Sequence, residues 1–398
     1  MSALLFALAG GFLALAAHPF VSYPLSLALL RRWRGGTRPA GQTPGTAPSV
    51  SLLVCAHNEE RVIQDKLANL KALLDRAPAA AEALIYVDGS TDRTAEMVAA
   101  FSDPRIRLAV STHRTGKTAG LNRLVGMASG EILVLSDANV MLAADALEKL
   151  LPHFAEPEVG LVCGHLTYTN AGESTTARNG ALYWRLEEAL RQLESDTGGA
   201  IGADGSLYAV RRVLWPVVPD DLIDDFFVPM MVRFGGLRVT RAGDVVAYER
   251  SAGDAGDEFR RKVRIACQAF NVHRRLWPEI RRLPALDLYK YLSHKLLKWL
   301  AGFNLFLAGL AGWLGLAAVA GWGGASGALL IMLLALVLGC LLRLPAVPAT
   351  WNALTMLAAV SLGLVRSLQG EHFQTWQPAL SVRSGQLSVA PESPRRAT

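Results

Sequence analysis

The sequence predicts an α/β domain with a doubly wound, mainly parallel sheet, joined to α-helical transmembrane segments. Two observations lead to this prediction. Short apolar runs alternate with segments of helical periodicity between residues 49 and 163, and long uncharged apolar runs lie near both ends of the chain. Of the 398 residues, 51% are hydrophobic, which is more than a soluble enzyme of this size requires. Part of the chain should therefore lie in lipid.

The first apolar run, residues 2–30, carries no acidic or basic side chain. It is long enough to cross a bilayer, which takes roughly 20 residues. Its length and the lack of a basic start favour an anchor over a cleaved signal peptide. We therefore expect one transmembrane helix over residues 1–30. The basic cluster Arg31-Arg32-Trp33-Arg34 opens a linker, residues 31–48, and such clusters stay on the cytoplasmic side, so the next domain should be cytosolic.

Apolar stretches near the other end predict about three more transmembrane helices within residues 299–368, at residues 299–321, 325–342 and 347–368. Just before them, residues 285–298 interleave lysine with leucine, a pattern typical of an amphipathic helix in the membrane interface. Residues 369–398 are left as a C-terminal tail. This organisation predicts an integral protein of the cell (inner) membrane with a cytosolic catalytic domain.

Charge and cysteine content narrow the partners. The net charge is +6, and residues 251–299 hold 11 Lys/Arg against 5 Asp/Glu, so this segment contains the whole excess. A basic stretch just before a membrane helix fits a phospholipid bilayer or an anionic substrate better than nucleic acid. The 4 cysteines are scattered without paired spacing, which indicates neither a disulfide framework nor a zinc site.

The soluble part alternates strand and helix. The patterns predict strands at residues 49–55, 84–87, 106–110, 132–135 and 159–163, and helices at 58–75, 91–101, 117–128 and 144–154, with a loop at 77–83. Such strands are buried on both faces and form a parallel sheet. Ligands bind at the carboxyl ends of these strands. Polar clusters follow three of them, at residues 56–59, 88–92 and 137–139, so this edge should carry a ligand site.

Several of these polar residues suit the binding of a phosphorylated ligand. Asp88 could accept a hydrogen bond from a ligand N–H beside the permissive Gly89, or the segment could be a turn that caps the next helix. Asp137-Ala138-Asn139 places two oxygen-bearing side chains on one side of an extended segment, which suits a hard divalent cation, although Asx residues at strand ends also form ordinary turns. Lys117 could meet phosphate charge or be a solvated lysine.

Two downstream segments suit the other half of a reaction. Residues 220–225 pack four carboxylates between apolar residues, and a carboxylate held in such surroundings can have the raised pKa of a general base. A solvent-facing acidic loop is the alternative. Gly202-Ala203-Asp204-Gly205 could form a floor of small residues over which a sugar lies, or an ordinary hairpin turn.

Taken in order, these motifs resemble the membrane-bound inverting glycosyltransferases of family 2, relatives of the hyaluronan, chitin and cellulose synthases. The resemblance covers roughly residues 50–299. It rests on Ala56-His57-Asn58-Glu59-Glu60, Val87-Asp88-Gly89-Ser90-Thr91-Asp92-Arg93-Thr94, Gly116-Lys117 with Leu121-Asn122, Ser136-Asp137-Ala138-Asn139, residues 202–212, Asp224-Asp225 and the basic run of residues 258–265.

The resemblance implies a GT-A fold over residues 49–284, a UDP-sugar donor, Mg²⁺ or Mn²⁺, and Asp225 as the catalytic base. The implied donor-binding residues are Ala56, His57, Glu59, Asp88, Lys117 and Asp137. The implied metal ligands are Asp137 and Asn139. We expect the acceptor to contact Trp184, Gly202, Ala203, Asp204, Asp224, Arg261 and Arg264.

Two departures from the family pattern matter. The DxD motif is Asp137-Ala138-Asn139 here, so one metal ligand is neutral. The QxxRW motif of processive members is Arg261-Lys262-Val263-Arg264-Ile265, in which only the arginine remains, so polymer synthesis does not follow from it.

The expected function is transfer of a sugar from a UDP-sugar to a growing polysaccharide or oligosaccharide at the cytosolic membrane face. One alternative is transfer of a single sugar onto a lipid, so the acceptor is carbohydrate or lipid-linked. A second is a catalytically silent, nucleotide-binding membrane scaffold, against which the presence of Asp88, Asp137 and Asp225 argues.

Overall fold

A computed structural model describes residues 1–34, 47–170, 175–250, 254–342, 344 and 346–375. The chain divides into two compact units. The sheet unit comprises Arg34–Asp257 with His372–Thr398, and the helical unit comprises Met1–Trp33 with Glu258–Glu371. The boundary lies near residue 257, whereas the sequence division placed it after residue 284. Of the expected linker and tail, residues 35–46 and 376–398 lie outside the described residues.

The strands form one mixed sheet. They are β1 Val50–Ala56, β2 Ala81–Asp88, β3 Ile106–Ser111, β4 Ile132–Ser136, β5 Met141–Leu142, β6 Val159–Tyr168, β7 Leu207–Arg211 and β8 Arg238–Glu249. Their order is β3-β2-β1-β4-β7-β6-β8-β5. The first four strands are parallel, β7 is antiparallel to both β4 and β6, and β6 is parallel to β8. The predicted α/β fold with a mostly parallel sheet is confirmed.

The helices are α1 Ser2–Ala17, α2 Ser22–Arg34, α3 Ile63–Arg76, α4 Thr94–Ala99, α5 Lys117–Met127, α6 Ala146–Leu150, α7 Thr175–Asp196, α8 Asp224–Phe234, α9 Ala255–Ile280, α10 Ala285–Tyr291, α11 Leu297–Trp299, α12 Ala301–Leu341 and α13 Ala346–Leu368. A π-helical turn, Leu292–Leu296, joins α10 to α11. Short 3₁₀ turns follow α6 and β7.

Burial explains why the early strands could be read from the sequence. All seven residues of β1 are buried, as expected for a parallel strand covered on both faces. On α3, Ile63, Leu67, Leu70 and Leu74 recur at helical spacing and join the same core. The predicted loop over residues 77–83 is wrong at its end, because β2 already begins at Ala81, which pairs with Val50.

The helical unit contains the apolar segments. The single N-terminal helix expected over residues 1–30 is broken, because α1 and α2 meet at a bend of 56°. Pro19 lies in the break and has no amide hydrogen to continue the helix. The basic residues 31–34 are the end of α2 rather than linker.

Two described helices are long and apolar enough to cross a membrane, residues Ala301–Leu341 and Val347–Leu368, or three if the bent N-terminal pair counts as one span. Gly321 has non-helical backbone angles (φ 71°, ψ 167°), so α12 consists of two helical pieces, residues 301–320 and 322–341. The first two predicted segments, residues 299–321 and 325–342, overlap these pieces, and that each piece crosses the membrane stays a prediction. The long apolar helices indicate membrane association. Within the expected interfacial segment, Lys290 is fully buried and so is not part of a solvent-facing lysine stripe.

Candidate functional site

The candidate site lies in the sheet unit, at the carboxyl ends of the parallel strands. The end of β1, the end of β2 and the start of α5 contribute residues on one side. The end of β4 contributes Asp137 and Asn139 on the other. Because β7 is antiparallel to β4 and pairs Leu207 with Ser136, the residues just before β7 reach the same edge. This is the edge at which α/β sheets bind ligands.

The loops that follow β1 and β2 are joined to each other, and we call this contact the loop interlock. Asn58 has a left-handed backbone (φ 52°), which asparagine tolerates better than most residues. The interlock consists of hydrogen bonds from Asn58 N–H to Ser90 Oγ (3.0 Å), Thr91 N–H to Asn58 Oδ1 (2.8 Å), Glu59 N–H to Thr94 Oγ1 (2.8 Å) and Glu60 N–H to Asp92 Oδ2 (3.0 Å). Much of the first two motifs therefore serves to hold these loops together.

Three of the predicted donor-binding residues, Ala56, His57 and Glu59, lie at or just after the end of β1. Ala56 is fully buried, and Glu59 is 3% exposed. The His57 ring donates from Nδ1 to the Asp88 carbonyl oxygen at 2.8 Å. Burial lowers the pKa of His57, although the hydrogen bond to the Asp88 carbonyl opposes this change, so the neutral form of the ring is favoured. The structure thus gathers these residues, and their contact with a nucleotide base stays a prediction.

The Asp88 carboxylate holds the loop in front of α5. It accepts hydrogen bonds from Thr115 N–H (2.6 Å), Thr115 Oγ–H (2.9 Å), Gly116 N–H (3.0 Å) and Arg114 Nε–H (3.3 Å). These four bonds use the four acceptor positions of a carboxylate, and Asp88 is fully buried. A ligand N–H can therefore reach Asp88 only by replacing one of its present donors. Arg114 makes the longest of these bonds.

Lys117 and Asp137 form an ion pair between α5 and the end of β4. The Lys117 Nζ lies 2.6 Å from Asp137 Oδ1, and the two side chains are 28% and 37% exposed. Burial alone would lower the pKa of Lys117, but the charges of Asp137 and Asp224 raise it above its ordinary value. Lys117 is therefore a fixed positive charge next to the acidic residues.

Asn139 is oriented by Glu249, the last residue of β8. Its Nδ2 donates to Glu249 Oε1 at 3.0 Å, so the atom of Asn139 that would bind a cation is its carbonyl oxygen. The described residues contain no group of three His, Cys, Asp or Glu side chains arranged for a metal ion. A site with Asp137 and the Asn139 oxygen still fits Mg²⁺ or Mn²⁺, because such ions take oxygen ligands and complete their shell with water and substrate phosphates.

Asp224 and Asp225 begin α8, and only one of them is committed to a structural contact. Asp224 is buried and accepts a hydrogen bond from the Tyr208 hydroxyl at 2.7 Å. Asp225 is half-buried. Burial and the neighbouring Asp224 charge raise the pKa of Asp225 to about 7, against the opposing charge of Lys117. Asp225 has the protonation behaviour of a general base near neutral pH.

Gly205 makes room for this base. A Cβ at position 205 would lie 2.8 Å from Asp225 Oδ2, and the Ala203 N–H donates to the Asp225 carbonyl oxygen at 2.9 Å. Asp204 is buried, which raises its pKa, and Gly202 and Ala203 are buried beside it. The small residues before β7 thus pack against Asp225.

The predicted acceptor residues are only partly brought together. Trp184 on α7 packs against Tyr168 with ring centroids 6.1 Å apart, and the Arg191 guanidinium lies 5.1 Å from the Trp184 ring centroid. Arg191 also lowers the pKa of Asp225 by its charge, and no sequence motif singled out this residue. Arg261 and Arg264 belong to the helical unit rather than to the sheet unit that carries the site.

A short segment near the C-terminus also belongs to the sheet unit. The His372 Nδ1 lies 2.8 Å from Asp221 Oδ2. The Gln374 carbonyl oxygen occupies the space in which a side chain at position 116 would project, and Gly116 has a positive φ of 97°. Only glycine satisfies both conditions at the start of α5. The sequence did not predict this contact, because the segment carries none of the recognised motifs.

Comparison with known proteins adds an independent line of evidence. Residues 51–215 match the model of glycosyl transferase family 2. A β-monoglucosyldiacylglycerol synthase of Nostoc sp. is 33% identical over 172 residues, 42% of this chain and 36% of that protein. An N-acetylglucosaminyltransferase of Sinorhizobium fredii is 25% identical over 273 residues, 63% of this chain and 64% of that protein. The chain thus spans about a third of the length of the Nostoc protein and about two thirds of the length of the Sinorhizobium protein.

A solved structure extends the likeness to nearly the whole chain. It is a mannosyltransferase from Pyrobaculum calidifontis in complex with GDP-Man and Mn²⁺. It is 26% identical, with a TM-score of 0.69, and the alignment covers 92% of this chain and 99% of that one.

Proposed function

The chain belongs to glycosyltransferase family 2, and from this premise we propose that it transfers a sugar, with inversion, from a UDP-sugar to a growing oligosaccharide or polysaccharide. The observation that supports this most is the pairing of Asp224 and Asp225 at the start of α8. One carboxylate is fixed by Tyr208, and the other has a pKa raised to about 7.

In the proposed mechanism, Asp225 accepts the proton of an acceptor hydroxyl. The freed oxygen attacks the anomeric carbon, the bond from that carbon to the diphosphate oxygen breaks, and the nucleoside diphosphate leaves. Lys117 neutralises part of the charge that develops on the diphosphate. Asp225 suits the first step because a base with a pKa near the working pH combines sufficient ionisation with sufficient proton affinity.

Asp137 and the Asn139 carbonyl oxygen would hold Mg²⁺ or Mn²⁺, which would stabilise charge on the leaving diphosphate. The solved relative contains Mn²⁺ together with a nucleotide sugar, which supports this assignment. That relative contains GDP-Man rather than a UDP-sugar. The nucleotide of the donor is therefore tested directly, and UDP is the first candidate.

A second acceptor class has its own support. The Nostoc relative is named a β-monoglucosyldiacylglycerol synthase, and 172 of its residues align with this chain at 33% identity. Transfer of one sugar onto a lipid is therefore the alternative to chain growth. The Sinorhizobium relative, an N-acetylglucosaminyltransferase, aligns over more of the chain. For either acceptor, we propose that the apolar helices hold the enzyme in the cell membrane with the sheet unit on the cytosolic side.

Donor choice is tested first. The purified full chain in detergent micelles is incubated with Mn²⁺ and a panel of UDP- and GDP-sugars, and release of the nucleoside diphosphate is measured. We expect release from a UDP-sugar by the wild type and a large loss in Asp225→Asn. Release from GDP-sugars alone would correct the donor. Absence of release from every donor, with intact nucleotide binding, would favour the scaffold alternative.

Acceptor choice is tested with the active donor. Radiolabelled product is separated by organic extraction and by size at limiting enzyme. Chains of many sugars, formed while most acceptor is unused, would support growth of a polymer. A single sugar on an extractable lipid would overturn that proposal and establish the second one.

A further inference from the structure

Two polar side chains on α3 form hydrogen bonds with the loop that joins β4 to β5 and with β5 itself. The Lys66 Nζ donates to Ser136 Oγ at 2.9 Å and to the Val140 carbonyl oxygen at 2.6 Å. Ser136 directly precedes Asp137, and Val140 directly follows Asn139. One ammonium group therefore bonds to both ends of the three-residue segment that carries the proposed metal ligands.

Asn69, one helical turn further along α3, bonds to Leu142 in β5, the strand that directly follows this loop. Its Nδ2 donates to the Leu142 carbonyl oxygen at 2.8 Å, and the Leu142 N–H donates to Asn69 Oδ1 at 3.0 Å. The side-chain amide thus pairs with both the N–H and the carbonyl oxygen of Leu142, as the backbone of a neighbouring strand would. Residues at i and i+3 lie on one face of a helix, so Lys66 and Asn69 lie side by side and hold the loop and the strand that follows it.

A lysine at this position is unusual on stability grounds. Lys66 is 0% exposed and lies on the α3 face that also carries the core residues Ile63, Leu67 and Leu70. Burying an ammonium group costs free energy that an apolar side chain of the same length would not cost. Burial lowers the pKa of Lys66 to about 7, and only the charge of Asp137 opposes this change. The lysine is therefore better explained by its contacts with the loop than by packing.

We propose that Lys66 and Asn69 are positioning residues that fix the segment Asp137-Ala138-Asn139 so that its two side-chain oxygens are presented together to a divalent cation. This inference rests on the proposed function, because it concerns the same metal site. The fixed loop compensates for the neutral Asn139, since preorganised ligands lose less freedom when they bind the ion. Glu249 orients the Asn139 amide, while Lys66 and Asn69 hold the backbone beneath it.

The test compares Lys66→Met with a matched control on the same helix. Lys71→Met makes the same substitution at an exposed lysine that pairs with Asp75, with Nζ and Oδ2 2.6 Å apart. Mn²⁺ binding to the full chain in detergent micelles is measured by the electron paramagnetic resonance signal of free Mn²⁺, with saturating UDP and, in parallel, GDP. Thermal unfolding and metal-free UDP and GDP affinity are measured on the same samples.

We expect Lys66→Met to weaken Mn²⁺ binding by about tenfold or more, as changes behind metal ligands commonly do. Thermal stability should not fall below wild type, because an apolar side chain avoids the cost of the buried ammonium group. Metal-free nucleotide affinity should stay near wild type, and Lys71→Met should bind Mn²⁺ normally. Asn69→Ala removes two hydrogen bonds without touching a buried charge, so it provides the decisive measurement if Lys66→Met does not fold. We expect it to weaken Mn²⁺ binding by about threefold or more, in the same direction.

The outcomes separate this inference from the proposed function. Wild-type Mn²⁺ affinity in folded Lys66→Met, or in Asn69→Ala when Lys66→Met does not fold, would overturn the positioning role and leave the metal site in place. Absence of Mn²⁺ binding by the wild-type chain with either nucleotide would overturn the metal site itself, and the positioning role with it.

Discussion

Asp224→Asn should shift the pH dependence of the reaction without removing the base. The substitution takes one negative charge away from the residue next to Asp225 and preserves the shape of the side chain. The amide oxygen can still accept the hydrogen bond that Tyr208 donates at 2.7 Å. Burial and the Asp224 charge are the two largest causes of the raised pKa of Asp225, about 7, and the substitution removes only the second.

The size of the shift follows from Coulomb's law. For an assumed separation of about 6 Å and an effective dielectric constant near 20, two unit charges interact by about 3 kcal/mol. That energy corresponds to roughly two pKa units. Asp225 is half-buried, so solvent weakens the interaction. We therefore expect the pKa of Asp225 to fall by about one unit.

The assay is kcat/KM from about pH 5 to about pH 9, with the donor held at a low concentration. In the wild type, activity should rise with pH through about 7, because Asp225 must lose its proton to act as the base. In Asp224→Asn the same rise should occur about one unit lower. Asp220→Asn changes an exposed carboxylate of the same acidic run and should leave the profile unchanged. A full-rate Asp224→Asn enzyme with the wild-type profile would refute the assignment of Asp225.

Three further substitutions test the base, the space beside it and the metal site. Asp225→Asn should lower turnover by roughly 10²-fold with little change in nucleotide affinity. The pKa of Asp225 is about 7 in the folded chain and about 3.9 in the unfolded chain, so stability is lost as the pH rises from about 4 to about 7. Asp225→Asn should therefore raise Tm at about pH 8 but not at about pH 4. Gly205→Ala places a methyl group 2.8 Å from Asp225 Oδ2 and should reduce turnover. Gly126→Ala is the control, because a methyl group there meets open space and should not change turnover. Equal turnover of the two variants would contradict this geometry. Asn139→Asp restores the family's second carboxylate but places it next to the Glu249 carboxylate, which repels it. Mn²⁺ affinity, measured by calorimetry, should therefore rise only when Glu249→Gln is added. A full gain in affinity from the single substitution would disprove the Glu249 contact.

The parts of the fold that the sequence predicted are those with strong local patterns. β1 is buried along its whole length, so its apolar run has no other explanation. β8 was not predicted, because Arg238, Thr240 and Arg241 alternate irregularly with apolar residues along a partly exposed strand. The N-terminal break was not predicted either, since composition alone does not show where a helix bends.

In the candidate site, too, residues with a strong local pattern were predicted and the others were not. The acidic pair at Asp224 and Asp225 stands out in the sequence because carboxylates between apolar residues are unusual. The residues that orient this site do not stand out, because each acts across a long stretch of chain. Glu249 lies 110 positions from Asn139, and Lys66 lies 70 positions from Ser136. Such pairings become visible only when the sheet brings the strand ends together.

The loop interlock links the dynamics of two segments that lie more than 30 positions apart. Each loop supplies both donors and acceptors, so Asn58 cannot leave its place without freeing Ser90 and Thr91. The two segments should consequently open as one cooperative unit, and their amide hydrogens should exchange with solvent at matching rates. A spectroscopic label on either loop would then report the motion of both, and it could follow nucleotide arrival from a position outside the chemistry.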